Sequence, residues 1–198
     1  VNDSLSDKIF CFNNVIIDGT QIQGDCDSIY YNETDSIMKC IVQPILWVDN
    51  NQITGENIEL KLHNGIIYKL YVKNNSMIIN QKDSIHYDQT KGDFIEGFFK
   101  ENKMWLMKID GKGKVLYYST DSKDSLVTEL NDISCDNMDI YFKDKLVNKI
   151  NFKSKPIGKT EPVKFNEKGK ILDDFFIYPK RTYLEKLNEA NGDWLKGK

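Results

Sequence analysis

The 198-residue sequence has no Cys-x-x-Cys pair and only two histidines, His63 and His86. Zinc sites draw on closely spaced Cys and His pairs, so no metal is expected. The four cysteines, Cys11, Cys26, Cys40 and Cys135, read mainly as plain buried thiols. Excess positive charge is also missing: 27 Lys and Arg stand against 30 Asp and Glu, for a net −3. Nucleic acid is therefore not an expected partner, because neutralising phosphates takes a basic face. No run comes near the roughly 18 apolar residues of a membrane span. The N-terminus, Val1-Asn2-Asp3-Ser4, has neither an initiator Met nor an apolar signal core. That start is expected of a chain beginning after a removed signal or at an internal cut. With 40% hydrophobic and 29% charged residues, the composition is that of a folded domain and not of a disordered chain.

What the sequence does contain is a repeat. Four segments share a small residue, an acid, any residue and a large aliphatic: Cys26-Asp27-Ser28-Ile29, Gly55-Glu56-Asn57-Ile58, Gly92-Asp93-Phe94-Ile95 and Cys135-Asp136-Asn137-Met138. Their acids are 29, 37 and 43 residues apart, so the unit is constant while its loops vary. After each signature come strand-like alternation and a polar turn: Asn32 to Asp35, His63-Asn64-Gly65, Lys100-Glu101-Asn102 and Lys143-Asp144-Lys145. The return runs, such as Tyr68-Lys69-Leu70-Tyr71-Val72 and Trp105-Leu106-Met107-Lys108-Ile109, carry large apolar residues at period two. That period marks a strand with one buried face, whereas a helix needs spacings of three and four.

Each return run then meets an interruption: Gln43-Pro44, Asn75-Ser76, Gly111-Lys112-Gly113 or Lys155-Pro156. Pro removes a ladder donor, and Gly in a strand marks a bulge or bend. These positions predict one kink per leg at a common height, with the Gly or Cys before each acid kinking the opposite leg. The expected fold is all-β: stacked bent hairpins forming a V-shaped trough over residues 1–180. A short C-terminal helix near residues 183–190, within a 181–198 tail, follows from the capping box Thr182-Tyr183-Leu184-Glu185 and the stop Asn191-Gly192. The run Ile9 to Ile17 reads as the second half of a truncated first unit, which predicts Cys11 and Cys40 on adjacent strands and within reach of a disulfide.

Read in order, Cys26-Asp27-Ser28-Ile29-Tyr30-Tyr31, Pro44-Ile45-Leu46-Trp47, Gln52-Ile53-Thr54-Gly55 and His86-Tyr87-Asp88-Gln89-Thr90-Lys91-Gly92 resemble the LptA/OstA-like family of lipopolysaccharide-transport proteins. The likeness spans roughly residues 10–180. It implies a β-jellyroll or β-taco fold, a periplasmic or outer-membrane-associated location, and acyl chains bound in an apolar trough. The resemblance also implies end-to-end stacking on other β-taco proteins through edge strands. It brings no catalytic motif and no cofactor.

The candidate trough lining comes from the period-two apolar positions: Ile29, Tyr31, Ile58, Leu60, Ile95, Phe99, Met138 and Ile140 on the first legs, and Met38, Leu70, Val72, Met107, Ile109, Ile150 and Phe152 on the return legs. These residues either grip lipopolysaccharide or another acylated lipid, or pack against one another as a closed core. The acids Asp27, Glu56, Asp93 and Asp136 either line a cation-binding column or, as expected here, face water and satisfy backbone groups at the kinks. Ser84 and His86 sit two apart and would share a strand face, but a serine nucleophile needs a base oriented by a third group. The chain is therefore expected to bind and not to catalyse. Tyr30, Tyr71, Tyr118 and Tyr141 either form a carbohydrate-binding surface or, as expected here, are strand-forming tyrosines on the wet face.

Overall fold

A computed structural model of the chain describes residues 7–20, 22–121, 126–164 and 166–180. The predicted C-terminal helix lies outside the described residues. Every regular element within them is a β-strand, and fourteen strands join in one sheet. They are β1 (Lys8–Asp18), β2 (Ile22–Asn32), β3 (Ile37–Ile41), β4 (Ile45–Val48), β5 (Asn51–Thr54), β6 (Asn57–His63) and β7 (Ile66–Gln81), followed by β8 (Tyr87–Lys100), β9 (Lys103–Asp110), β10 (Lys114–Thr120), β11 (Val127–Ser134), β12 (Asn137–Lys143), β13 (Leu146–Phe152) and β14 (Ile157–Pro162).

The pairings sort these strands into nine antiparallel legs. Four are unbroken strands (β1, β2, β7 and β8), and five are split in two: β3–β4, β5–β6, β9–β10, β11–β12 and β13–β14. One half of every leg lies in an upper leaf, where β2, β3, β6, β7, β8, β9, β12 and β13 pair in turn. The other half lies in a lower leaf, where β2, β4, β5, β7, β8, β10, β11 and β14 do the same. The interruptions predicted from Pro, Gly and Asn thus fall at one level in successive legs. Three upper turns, Asn64-Gly65, Glu101-Asn102 and Asp144-Lys145, have positive φ at both residues, the tight hairpin geometry that matches strand twist.

The crease has a repeated chemistry. Four of the five legs running back carry a left-handed pair, namely Asn13-Asn14, Val42-Gln43, Asn74-Asn75 or Gly111-Lys112. The intervening legs carry the signature acid, whose amide donates to a carbonyl of the next pair: Asp27 N to Val42 O at 3.3 Å, Glu56 N to Asn74 O at 3.1 Å and Asp93 N to Gly111 O at 2.7 Å. In the last unit Cys135 N instead donates to Gly113 O of the preceding leg, at 2.9 Å. The carboxylates finish the joint. Glu56 accepts from Asn74 Nδ2 at 2.8 Å and Asn75 Nδ2 at 3.3 Å, and Lys112 Nζ reaches Asp93 at 3.4 Å. All four acids are exposed, as the water-facing reading of them requires.

The sequence expectations for Cys11 and Tyr118 fail. Cys11 stands opposite Ile29, and Ile29 stands opposite Cys40, so β2 separates the two cysteines. The N-terminal run forms β1 on the far side of β2, and no Cys11–Cys40 bridge can form across it. Cys11 is exposed, and all four thiols are free. Tyr118, expected on a wet face, is 1% exposed, because residues 166–180 fold over the outside of the lower leaf and cover it.

Candidate functional site between the two leaves

The inner face of the upper leaf is built from two unbroken rows of opposed residues. One runs Ile29, Cys40, Ile58, Val72, Ile95, Ile109, Met138, Phe152, and the other runs Tyr31, Met38, Leu60, Leu70, Gly97, Met107, Ile140, Ile150. Phe99, opposite Met104, begins the next row toward the turns. Every lining residue predicted from period two therefore lies on this one face. Most are buried in a single apolar cluster shared by both leaves, while Phe152 at the sheet's end is 42% exposed.

The lower leaf supplies the opposite wall. Leu46, Ile53, Ile78 and Val115 pack into the same cluster. They come from the short apolar runs after each kink, and their strands are four to seven residues long except in β7, too short for a period to declare which residue faces in. Toward the turns the inner row becomes polar: Asn51 stands opposite Asn80 and Asn80 opposite Asp88, and Tyr117 borders the same space. Asn80 Nδ2 donates to Asn51 Oδ1 at 3.3 Å. Asp88 accepts from Tyr118 N at 2.8 Å and pairs with Lys82 Nζ at 3.3 Å. Burial nevertheless pushes the Asp88 carboxyl up to about 6, against the pull of Lys82.

Between these walls, near the turns, is a cavity of about 250 Å³. Met104, Met107, Ile140, Phe142 and Val147 line it from above, and Ile78, Val115, Asn80 and Asp88 from below. Only Met107 and Ile140 among the predicted lining residues border it; the others nearest the crease fill the closed core. The opening is edged by Asp49, Lys103 and Lys145, all turn or strand-end residues that no apolar pattern singles out. Lys145 Nζ lies 2.7 and 3.1 Å from the two carboxylate oxygens of Asp49.

The outer face of the lower leaf carries a second apolar cluster of Met77, Ile79, Leu116, Tyr118 and Leu130, capped by Leu172. Two buried glutamines hold the covering segment by its backbone. Gln89 donates to Lys170 O at 2.9 Å and accepts from Leu172 N at 2.8 Å; Gln52 donates to Phe176 O at 2.8 Å and accepts from Tyr178 N at 2.8 Å. Each side-chain amide thus mimics a neighbouring strand. The Phe175 to Tyr178 run forms part of this strap and is in no strand among the described residues.

Ser84 and His86 do not share a face. They lie in the turn between β7 and β8, with Ser84 exposed and His86 buried. Asp83 Oδ2 is 2.7 Å from His86 Nδ1, and its Oδ1 accepts from the amides of Ile85 and His86 at 2.8 Å. Burial raises the Asp83 carboxyl, but the His86 ring and these amides outweigh it and hold it below the ordinary range. The pair shapes the turn, and His86 Nε2 is buried with no hydrogen-bond partner among the described residues. Among the described residues, no three His, Cys, Asp or Glu side chains gather closely enough to hold a metal ion.

No protein-family model matches the sequence, and no curated protein matches it. Among solved structures, the fold is similar to the crystal structure of LptH, the LptA-homologous periplasmic component of the conserved lipopolysaccharide transport device from Pseudomonas aeruginosa. The likeness has a TM-score of 0.49 and 12% identity, over 64% of this chain and 80% of that one. That protein is an LptA homologue, of the family that the sequence resembles.

Proposed function

We propose that this chain is a periplasmic lipid-binding module of β-taco type that takes acyl chains of lipopolysaccharide, or of another acylated lipid, between its two leaves. The observation that carries this reading is the cavity between the leaves: apolar from above and toward the crease, with Asn80 and Asp88 on its lower wall and charge at its mouth. Such a space suits a hydrocarbon chain whose head stays in water, each buried methylene contributing about 0.8 kcal/mol. The order and spacing of the motifs that resemble the LptA/OstA-like family support the same reading. The work is done by burial, and no turnover is part of it. Native mass spectrometry of the protein purified from a Gram-negative host tests it. Bound or exchangeable lipopolysaccharide is expected on the folded chain, and a folded chain that neither retains nor exchanges it would contradict the proposal.

A second reading, that the chain is an assembly module pairing through its open edges without a lipid, rests on its two ends. Among the described residues β1 pairs only with β2, and its Ile9, Phe10 and Phe12 are all more than half exposed. At the other end β13 pairs only with β12 and β14 only with β11, leaving Ile157 78% exposed. Unpaired edges with apolar side chains invite strand addition. Lipid-free oligomers that grow with concentration would favour this reading, and a lipid-loaded monomer would favour the first.

A further inference from the structure

We propose that Lys145 and Asp49 form a latch across the mouth of the cavity, and that an amphiphile with an apolar chain and an anionic head opens it by replacing Asp49 on Lys145. This rests on the reading above, that apolar chains enter between the leaves, and adds which heads are admitted and how.

The two residues belong to opposite leaves. Asp49 sits in the turn between β4 and β5, and Lys145 in the turn between β12 and β13, 96 residues away. Both backbones are left-handed, with φ of 56° and 67°, so the side chains leave tight turns whose own conformation is fixed. The Lys145 ammonium meets both oxygens of the carboxylate, and both side chains border the cavity. Breaking this contact frees the edge of one leaf from the other at the point where the cavity opens.

Three features select the occupant. The cavity, at about 250 Å³, falls below the roughly 300–1,000 Å³ of sites that enclose a drug-sized ligand. In the latched state it accommodates a segment of one chain, and a larger load requires the leaves to part. The rim is cationic: Lys82 is matched by Asp88 and Lys145 by Asp49, while Lys103 has no carboxylate partner among the described residues. An anionic head therefore meets one unmatched ammonium and a second it can capture from Asp49. The latch itself is open to water, with 57% of the Lys145 and 38% of the Asp49 side chain exposed. Exposed pairs of this kind shift an equilibrium by only a few-fold, so a ligand head can displace the carboxylate.

Calorimetric titration of the full chain with dodecyl phosphate and dodecyl maltoside, both below micelle formation, tests the latch. The wild type is expected to bind the phosphate more tightly. Asp49→Asn, which frees Lys145 and keeps a residue tolerant of the left-handed backbone, is expected to tighten phosphate binding roughly two- to fivefold. Lys145→Gln is expected to shrink the preference for phosphate by a similar factor while maltoside still binds. Thermal unfolding of each variant verifies that the fold is kept. Equal binding of the two heads by the wild type, or a preference unchanged in both variants, overturns the latch and leaves chain binding standing. No binding of either amphiphile to wild type or Asp49→Asn overturns the chain-binding reading and the latch with it.

Discussion

Gly55 lies so close to Val72 that a Cβ on it would stand 2.5 Å from Val72 Cγ1. Gly92 repeats the relationship with Ile109, at 2.7 Å from its Cγ2. In these two units the glycine before the acid is thus what lets a leg bend against a β-branched residue of the neighbouring strand.

Gly55→Ala is accordingly expected to destabilise the fold by roughly 1–3 kcal/mol through overpacking at the crease. Val72 is stiff at χ1 and cannot swing aside. The double variant Gly55→Ala, Val72→Ala should recover part of that loss, a coupling that denaturant unfolding of the four proteins measures. Simple additivity would show that the close approach carries no strain. Gly65→Ala, at φ 75° with open space around it, tests backbone conformation alone and should cost about 1–2 kcal/mol.

Gln89 is fully buried and bonds the strap at two points. Gln89→Leu keeps much of the volume but strands Lys170 O and Leu172 N. A loss of about 2–3 kcal/mol is expected, concentrated in the strap. Hydrogen exchange should speed up at Leu172 and its neighbours well before it does in β7 or β8. Uniform acceleration through the sheet would mean that the strap and the lower leaf unfold as one unit.

Asp88 gives the fold a pH dependence of definite sign. Its folded pKa, about 6, lies above the ordinary 3.8 because burial opposes its charge. The folded state therefore holds the proton more tightly than the unfolded one. The resulting stabilisation is complete below about pH 4 and is lost as the pH rises through 6, amounting to on the order of 3 kcal/mol. Asp88→Asn removes the titration and keeps an oxygen for Tyr118 N. Relative to this variant, the wild type should lose stability between pH 4 and pH 7, read from denaturant midpoints at each pH. A flat difference would show that the carboxyl titrates normally.

Thiol accessibility should divide one against three. Cys11 is exposed, whereas Cys26, Cys40 and Cys135 are buried. The Cys40 thiol is pushed up by its hydrogen bond with the Cys26 sulfur and by burial, so its reactive thiolate is suppressed. Alkylation of the native chain should modify one cysteine quickly, and Cys11→Ser should abolish that fast phase. Two or more fast thiols would place the crease in contact with solvent.

The legs, their turns and the level of the crease were legible because each had a local cause: period two for strands, Asn-Gly and its kin for turns, Pro, Gly and Asn-Ser for kinks. The upper inner face followed from alternation, since its strands are long enough to show a phase. What escaped was set by contacts distant in sequence. Gln52 and Gln89 look like ordinary polar strand residues until residues 170–178 arrive over them. Asp49 and Lys145 look like solvated turn residues until the crease brings their leaves together. The place of Cys11 was misjudged because alternation fixes the face of a strand but not which side of its neighbour it joins.

Because each leg is hydrogen-bonded only to the legs beside it, the architecture behaves as a ruler. One further hairpin inserted at the crease register would lengthen the enclosed space by two strand spacings, about 9.6 Å, without altering its cross-section. Capacity along the axis is therefore a matter of how many hairpins the gene encodes, while selectivity at the mouth is written separately, in the turns.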